Sequence, residues 1–284
     1  MKLVRPSYEI WNQQSGLLGV HRQIERAGRI CYKSETNTTD DSARSFVDRL
    51  IGNGHLAMLE HGTVYLKAPL GYTGSRYTHN PYSKYACDAD CEYVTTNYRV
   101  LVENNWLDDL KCLCEPTSLH EMRYTVRFVC DRGVSHEFVR QRKFSFAQES
   151  TRFCNYSKDR FNNELTFIQP CWLANDLCGD YKGHLDIIAK TPMSGYDRGG
   201  ESFLHHMVDT EILYLDLLVL GWKPQEARAI LPNALKTELV MTGFISDWRH
   251  FFDLRAVGTT GAPHPQAKEL AEPLMNEFKD RGYL

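Results

Sequence analysis

Apolar residues recur every three or four positions in several segments of the chain, which is the spacing of an amphipathic helix. The longest of these segments covers residues 200–220, and Gly221 follows it. Pro224 stands where proline is tolerated at the start of the next short helix. The stripe predicted to face the core consists of Leu204, Val208, Ile212, Leu215 and Val219. Further helices are predicted at residues 17–30, 42–51, 105–114, 133–142 and 266–279, and at 246–255 with Ser246 and Asp247 as caps.

Alternation of apolar and polar residues predicts strands at residues 63–67, 94–103 and 122–130. Residues 69–92 are rich in Gly, Tyr, Pro, Asp and Cys, which predicts a loop excursion, and residues 143–157 predict a polar, irregular segment. The sequence contains no internal repeat and no stretch with the composition of a linker. It therefore predicts one α+β domain over residues 1–284 with an insertion near 69–120.

The composition is that of an ordinary globular protein. The 284 residues are 42% hydrophobic and 24% charged, which is enough apolar material for a sizeable core and excludes wholesale disorder. No run approaches eighteen apolar residues, and the first nine residues carry Lys2, Arg5 and Glu9 without an apolar stretch, so neither a membrane span nor a secretory signal is expected. Nine irregularly spaced cysteines favour reduced thiols and a cytoplasmic location.

Positive charge is concentrated in one part of an acidic chain. The formal net charge is −3, yet residues 122–160 contain nine basic and four acidic residues, so this window carries +5 and the remainder −8. A small anionic ligand fits this pattern better than a polyanion, which usually meets a basic face on a basic domain. A solvated, charged surface is the alternative that charge alone leaves open.

A group of polar residues within this window has the chemistry of a phosphate site. Arg140 and Arg142 lie one residue apart at a predicted helix end, and the loop after them supplies Gln148, Ser150 and Arg152. Guanidinium groups pair with two phosphate oxygens at once, and each charge-assisted hydrogen bond contributes roughly 1.5–3 kcal/mol. The spacing is thus compatible with a phosphate-bearing ligand, and equally with an exposed helix end and its polar loop.

The same residues resemble a known family. Arg140-Gln141-Arg142, then seven residues, then Ser150, is similar to the Arg-His-Arg signature of flavin-dependent thymidylate synthases. Its flanks, Gly133–Glu137 and Gln148–Phe153, resemble those of one bacterial and phage branch. Three further blocks resemble the family in the same order: Gly54-His55 with Glu60-His61, Ala227–Pro232, and Leu254-Arg255 with Pro265-Gln266. The resemblance covers most of the chain outside residues 69–120.

The resemblance implies a fold and a reaction. The fold would be a single α+β domain with a central, mostly antiparallel sheet flanked by helices. The reaction would be the reductive methylation of dUMP to dTMP by an FAD-dependent methyltransferase, with methylenetetrahydrofolate as carbon donor and NADPH as reductant. The family also implies a homotetramer whose active sites are shared between subunits, and no nucleic-acid or membrane partner.

The resemblance further assigns roles to individual residues, with Arg255 and Ser150 as catalytic residues. The sequence departs from the family pattern at Gln141, where histidine is usual, and at Ala147, where asparagine is common. The implied dUMP contacts are Glu137, Arg140, Gln148, Ser150, Arg152, Arg228 and Arg255. The implied FAD contacts are Ala57, Arg140, Gln141, Arg142, Gln148, Phe244, Ser246 and His250.

Several alternatives stay open at this level. The same fold would serve a dUMP hydroxymethylase, and a paralogue with reduced activity would bind a nucleotide or nucleic acid without turnover. Taken alone, Arg228 reads as a surface charge, and His250, beside Trp248 and Phe251, as a core histidine. The cysteine and histidine spacings match no standard metal-site pattern, so no metal is expected.

Overall fold

The computed structural model describes residues 1–173, 176–190 and 198–284. The strands within these ranges are β1 (Lys2–Val4), β2 (Ser7–Trp11), β3 (Thr63–Pro69), β4 (Lys84–Cys87), β5 (Cys91–Asn97), β6 (Arg123–Asp131), β7 (Ser145–Gln148), β8 (Thr166–Ile168), β9 (Gly179–Asp180) and β10 (Lys236–Phe244). The helices are α1 (Gly16–Ile30), α2 (Ser42–Gly52), α3 (Tyr98–Glu103), α4 (Arg132–Phe138), α5 (His184–Lys190), α6 (Arg198–Val219), α7 (Pro224–Ala227), α8 (Ile245–Phe252) and α9 (Pro265–Asp280).

The centre of the molecule is a four-stranded antiparallel sheet in the order β2-β6-β10-β7. Every residue of β10 after Lys236 is buried, because helices cover both faces of the sheet. One face packs against α4, α8 and α9 through an aromatic core around Phe128, Phe138 and Trp248. The other face packs against α1 through Ala27 and Ile30. The predicted α+β class with an antiparallel sheet flanked by helices is therefore confirmed.

Two smaller sheets surround the central one. Strands β8, β1 and β9 form one of them and share a core with α6. Strands β3, β5 and β4 form the other, which packs on α1 and α2. The predicted insertion near 69–120 thus carries two strands of this sheet, β4 and β5, and the helix α3. The prediction of a loop excursion over residues 69–92 was wrong where β4 and β5 lie.

Other predictions were wrong in detail. The strand predicted over residues 94–103 ends at Asn97, whose side-chain oxygen accepts the backbone N–H of Val100 at 3.1 Å and starts α3. The irregular segment predicted over 143–157 contains β7, a short strand held by pairing with β10. Ser246 lies inside α8; Asp247 accepts the backbone N–H of Phe244, the actual first capping position.

The long helix α6 begins and ends close to the predicted bounds but buries a different stripe. Leu204 and Val208 are buried as expected, whereas Ile212 and Val219 are 48% and 85% exposed. Tyr214 is buried instead. Among the described residues, no helix is both long and apolar enough to cross a membrane.

Candidate functional site

Helix α4 positions much of the predicted site, and the last residue of β6 fixes where it begins. The side chain of Asp131 accepts the backbone N–H of Val134 at 2.7 Å, which caps the helix. Its other oxygen accepts the side-chain N–H of Gln266 on α9 at 2.7 Å. Burial raises the pKa of Asp131 despite these bonds. The start of α4 is thereby tied to two other elements.

An ion pair links α4 to the wide turn that follows α8. One terminal nitrogen of Arg255 donates to a carboxylate oxygen of Glu137 at 2.9 Å, and the other donates to the Glu137 backbone carbonyl at 3.1 Å. The Nε atom of Arg255 is buried and has no hydrogen-bond partner in the described part of the chain. A buried donor without a partner costs about 1–3 kcal/mol, so a ligand oxygen placed there would be favourably bound.

Gln148 lies at the end of β7 and is oriented by two hydroxyl groups. Its Nε2 atom is 2.9 Å from the hydroxyl oxygen of Ser135 on α4 and 3.2 Å from that of Thr237 on β10. These bonds use the amide nitrogen of Gln148. The Gln148 side chain is therefore held near α4, the helix that carries Glu137.

Ser150 and Arg152 lie in the turn after β7, beside the end of α1. The backbone N–H of Ser150 donates to the Cys31 carbonyl at 3.1 Å, and the ring of Phe153 lies 5.1 Å from that of Tyr32. Cys31 and Tyr32 also line a cavity of about 560 Å³, together with Ala57. The structure thus places one predicted flavin residue, Ala57, in a cavity next to the turn that holds Ser150.

Another predicted flavin residue, Phe244, lies at the far end of the central strand β10. Phe244 ends β10, and its ring contacts the guanidinium of Arg123 at 5.3 Å. It lies seven positions along β10 from Thr237, the neighbour of Gln148, and at 3.3 Å per residue this distance is about 23 Å. Ser246 and His250 follow Phe244 on α8 and are both exposed, so the alternative of a core histidine at 250 is wrong. Within one chain, Phe244 and Gln148 lie toward opposite ends of the central sheet.

The basic window divides into paired and unpaired arginines. Arg123 is buried and donates to the Glu60 backbone carbonyl, and Arg127 pairs with Glu238 at 2.7 Å. A second set of arginine side chains is exposed and makes no hydrogen bond or ion pair within the described residues. These unpaired cations are Arg140, Arg142 and Arg152 in the window, and Arg228 outside it. All four were predicted site residues, and they are free to meet an anion.

The sequence assigned no site role to four residues that hold the site in place. Ser135 and Thr237 orient Gln148, and Asp131 with Gln266 fixes the start of α4. A signal for Asp131 was present, because aspartate directly before a helix is a typical capping residue. Thr237 had no such signal, because it reaches Gln148 only through strand pairing.

A model of the thymidylate synthase complementing protein family matches residues 103–281. The match covers more than half of the chain and contains every predicted site residue except Ala57. The chain belongs to this family. The resemblance is therefore confirmed at the level of the family, and three of its four sequence blocks lie within the matched residues.

Individual proteins of this family match the chain at modest sequence identity. A flavin-dependent thymidylate synthase from Corynebacterium glutamicum is 29% identical over 140 residues, which are 44% of this chain and 46% of the relative. The chain thus spans less than half of that relative's length. The protein of the same name from Corynebacterium diphtheriae is 24% identical over 259 residues, 88% of this chain and 73% of the relative. A solved UMP/dUMP methylase, PolB from Streptomyces cacaoi bound with 5-Br dUMP, is 14% identical; the match covers 99% of this chain and 93% of that one at a TM-score of 0.45.

The family's usual histidine position is occupied here by a buried residue. Gln141 is 6% exposed, and its backbone N–H donates to the Phe138 carbonyl at 3.1 Å in the turn after α4. Glutamine offers a donor and an acceptor but cannot carry a proton charge. The exposed cations on either side, Arg140 and Arg142, supply the positive charge of this turn.

Proposed function

We propose that this protein converts dUMP to dTMP by reductive methylation, with methylenetetrahydrofolate as carbon donor and NADPH reducing a bound FAD. The observation that carries the proposal is the family match over residues 103–281. Within it, four predicted arginines have no side-chain hydrogen-bond or ion-pair partner among the described residues, and the buried Nε–H of Arg255 has none either. The homotetramer, the single domain over residues 1–284 and the cytoplasmic location belong to the same proposal.

The residues present fit a flavin nucleotide. Arg140 and Arg142 are exposed and lack ion-pair partners among the described residues, as a binding site for an anionic cofactor requires. Ser246 and His250 add exposed hydrogen-bonding groups on α8. FAD, when bound, supplies the hydride chemistry, and the protein supplies position and charge. We propose that two subunits complete each site, as the resemblance to the family implies.

The uracil ring needs help to react at C5. Carbon five is a poor nucleophile, and negative charge must be tolerated along the N3/O4 edge while the ring attacks. A fixed cation at that edge stabilises this charge as an oxyanion hole does. We assign this task to Arg255, whose buried Nε–H lacks a partner in the described chain and whose orientation is fixed by Glu137.

The nucleotide's phosphate and sugar would be held by exposed groups. Arg152 and Arg228 are unpaired cations within the described residues, and Ser150 supplies a hydroxyl group next to Arg152. Gln148 is already oriented by Ser135 and Thr237, and it would contact the sugar or base without further ordering. In this assignment Arg140 contacts both the substrate and the flavin.

The test is the visible spectrum of the freshly purified protein, with and without added FAD, followed by an assay of dTMP formation from dUMP, NADPH and methylenetetrahydrofolate. We expect a yellow protein and NADPH-dependent product. A protein that takes up no FAD would contradict the proposal. Product mass separates methyl from hydroxymethyl transfer, which is the alternative reaction of the same fold.

Gln141 raises a second alternative, a paralogue that binds a nucleotide with reduced activity. The Gln141→His variant tests it. Turnover in the variant alone would support the paralogue, whereas turnover in the natural protein shows that the histidine is dispensable here. A nucleic-acid-binding paralogue would instead bind single strands in a salt-dependent manner that dUMP does not affect.

A further inference from the structure

The inserted segment supplies a cation to the cavity that contains Ala57. Arg99, on α3, lines this cavity of about 560 Å³ and also a neighbouring one of about 260 Å³. The second cavity also contains Glu60, from the Gly-His…Glu-His block, and Tyr82, from the loop before β4. Arg99 therefore brings a side chain of the insertion next to a part of the chain that resembles the family.

Two carboxylates hold the Arg99 side chain in place but do not saturate it. Its Nε and one terminal nitrogen lie 2.8 and 2.7 Å from the same oxygen of Glu103, and the other terminal nitrogen lies 2.6 Å from an oxygen of Glu60. An arginine has five N–H groups, so two remain without an acceptor in the described residues, one on each terminal nitrogen. Two N–H groups so placed can pair with two phosphate oxygens.

Glu60 connects this arginine to the predicted flavin residues. The Glu60 backbone carbonyl oxygen accepts hydrogen bonds from both terminal nitrogens of the buried Arg123, each at 3.2 Å. The Arg123 guanidinium lies against the ring of Phe244. The Arg99 side chain is 34% exposed, so its guanidinium is reachable from solvent. A ligand in the cavity beside Ala57 would thus meet a cation that is oriented in advance.

We propose that Arg99 is a phosphate-binding residue of this cavity, which gives the inserted segment a role in binding a nucleotide. The inference rests on the proposed function for the identity of that nucleotide. Arg99 is the only arginine or lysine among the side chains that line the larger cavity in the described residues. The phosphate would come either from the flavin dinucleotide or from dUMP, and the two sources are separable by experiment.

The experiment measures the dissociation constants of FAD, riboflavin, dUMP and deoxyuridine for the full-length protein and its variants. Arg99→Ala removes the cation. Arg99→Lys keeps the charge but not the planar pair of N–H groups. The matched control is Arg281→Ala, because Arg281 also pairs with a glutamate four residues away and is similarly exposed, at 39%. Thermal unfolding of each variant confirms that it is folded.

We expect Arg99→Ala to weaken one phosphate-bearing ligand about tenfold or more, with a smaller loss in Arg99→Lys and none in Arg281→Ala. Weaker binding of FAD with unchanged riboflavin binding assigns the phosphate to the cofactor. Weaker binding of dUMP with unchanged deoxyuridine binding assigns it to the substrate. Unchanged affinities for both phosphate ligands in folded Arg99→Ala would overturn the inference while leaving the proposed function intact. If the natural protein binds dUMP but no FAD, the proposed function would be contradicted, whereas the inference about Arg99 would still be tested by dUMP binding.

Discussion

Arg255 and Glu137 are 118 positions apart in the sequence, yet the carboxylate of Glu137 lies 2.9 Å from a terminal nitrogen of Arg255. The pair joins the turn after α8 to α4, and both side chains are partly exposed, at 20% and 31%. The contact fixes the direction of the guanidinium before any ligand arrives. Preorganisation of this kind matters most where charge develops during a reaction.

Arg255→Ala should leave the flavin bound but reduce turnover. We expect kcat to fall by about 10²-fold or more, which is the usual effect of removing a group that stabilises developing negative charge. The flavin content per chain and the thermal midpoint should stay near those of the natural protein. Steady-state kinetics and the visible spectrum of the same preparation measure both quantities.

Arg142→Ala should have the opposite signature, with loss of flavin before loss of catalytic power. Arg142 is exposed and unpaired within the described residues, so its removal breaks no internal contact that we observe. The flavin-to-protein ratio after gel filtration is the measurement, and turnover should recover when excess FAD is added. Equal flavin loss in Arg142→Ala and Arg255→Ala would show that our division of roles is wrong.

Local patterns predicted the elements whose own residues specify them. Helix α1 follows the apolar spacing of residues 17–30, and β6 follows the alternation of 122–130. Strand β10 was not predicted, because it is buried on both faces and shows no alternation. Strand β7 has four residues, and its extended form depends on β10 beside it. Such elements are determined by tertiary pairing, which a local pattern does not contain.

The candidate site likewise contains residues that the sequence identifies and contacts that only the fold determines. The resemblance supplied Arg140, Ser150 and Arg255, but no spacing in the sequence predicts that Arg255 meets Glu137. The apolar stripe predicted on α6 was wrong for a related reason. Ile212 and Val219 have the right period but are exposed, because the period identifies an apolar stripe without saying what covers it.

Glu238→Gln should destabilise the fold by about 3 kcal/mol. Three cations surround this buried carboxylate, with Lys33 at 2.6 Å, Arg127 at 2.7 Å and Lys236 at 2.8 Å. Burial opposes its charge, but Lys236, Arg127 and Lys33 outweigh that effect and hold the pKa of Glu238 well below its ordinary value. Removing the one carboxylate that all three cations share weakens the whole network, although each cation keeps a second acidic partner.

Glu35→Gln is the matched control for that change. Glu35 pairs with the same Lys33 at 3.0 Å, but its side chain is 43% exposed. An exposed pair contributes about 0–1 kcal/mol, so the variant should unfold close to the natural protein in urea. Similar losses in both variants would mean that the buried network contributes no more than the surface pair.

The last prediction concerns His61, whose ring nitrogen lies 2.8 Å from the hydroxyl oxygen of Thr242 in the interior. Complete burial, and then the neighbouring charge of Arg123, lower the pKa of His61 from 6.5 to about 3. The folded protein therefore keeps this imidazole neutral, whereas the unfolded chain takes up a proton below about pH 6.5. Stability contributed by this difference is complete above pH 6.5 and declines as the pH falls toward 3.

Between pH 7 and pH 5, this one group should lower the free energy of unfolding by about 2 kcal/mol. Urea denaturation of the natural protein and of His61→Gln at both pH values tests the prediction, with the exposed His206→Gln as control. We expect His61→Gln to be less stable at pH 7 but to lose about 2 kcal/mol less on acidification, and His206→Gln to follow the natural protein. An identical pH dependence in all three proteins would mean that the pKa of His61 is not lowered in the folded state.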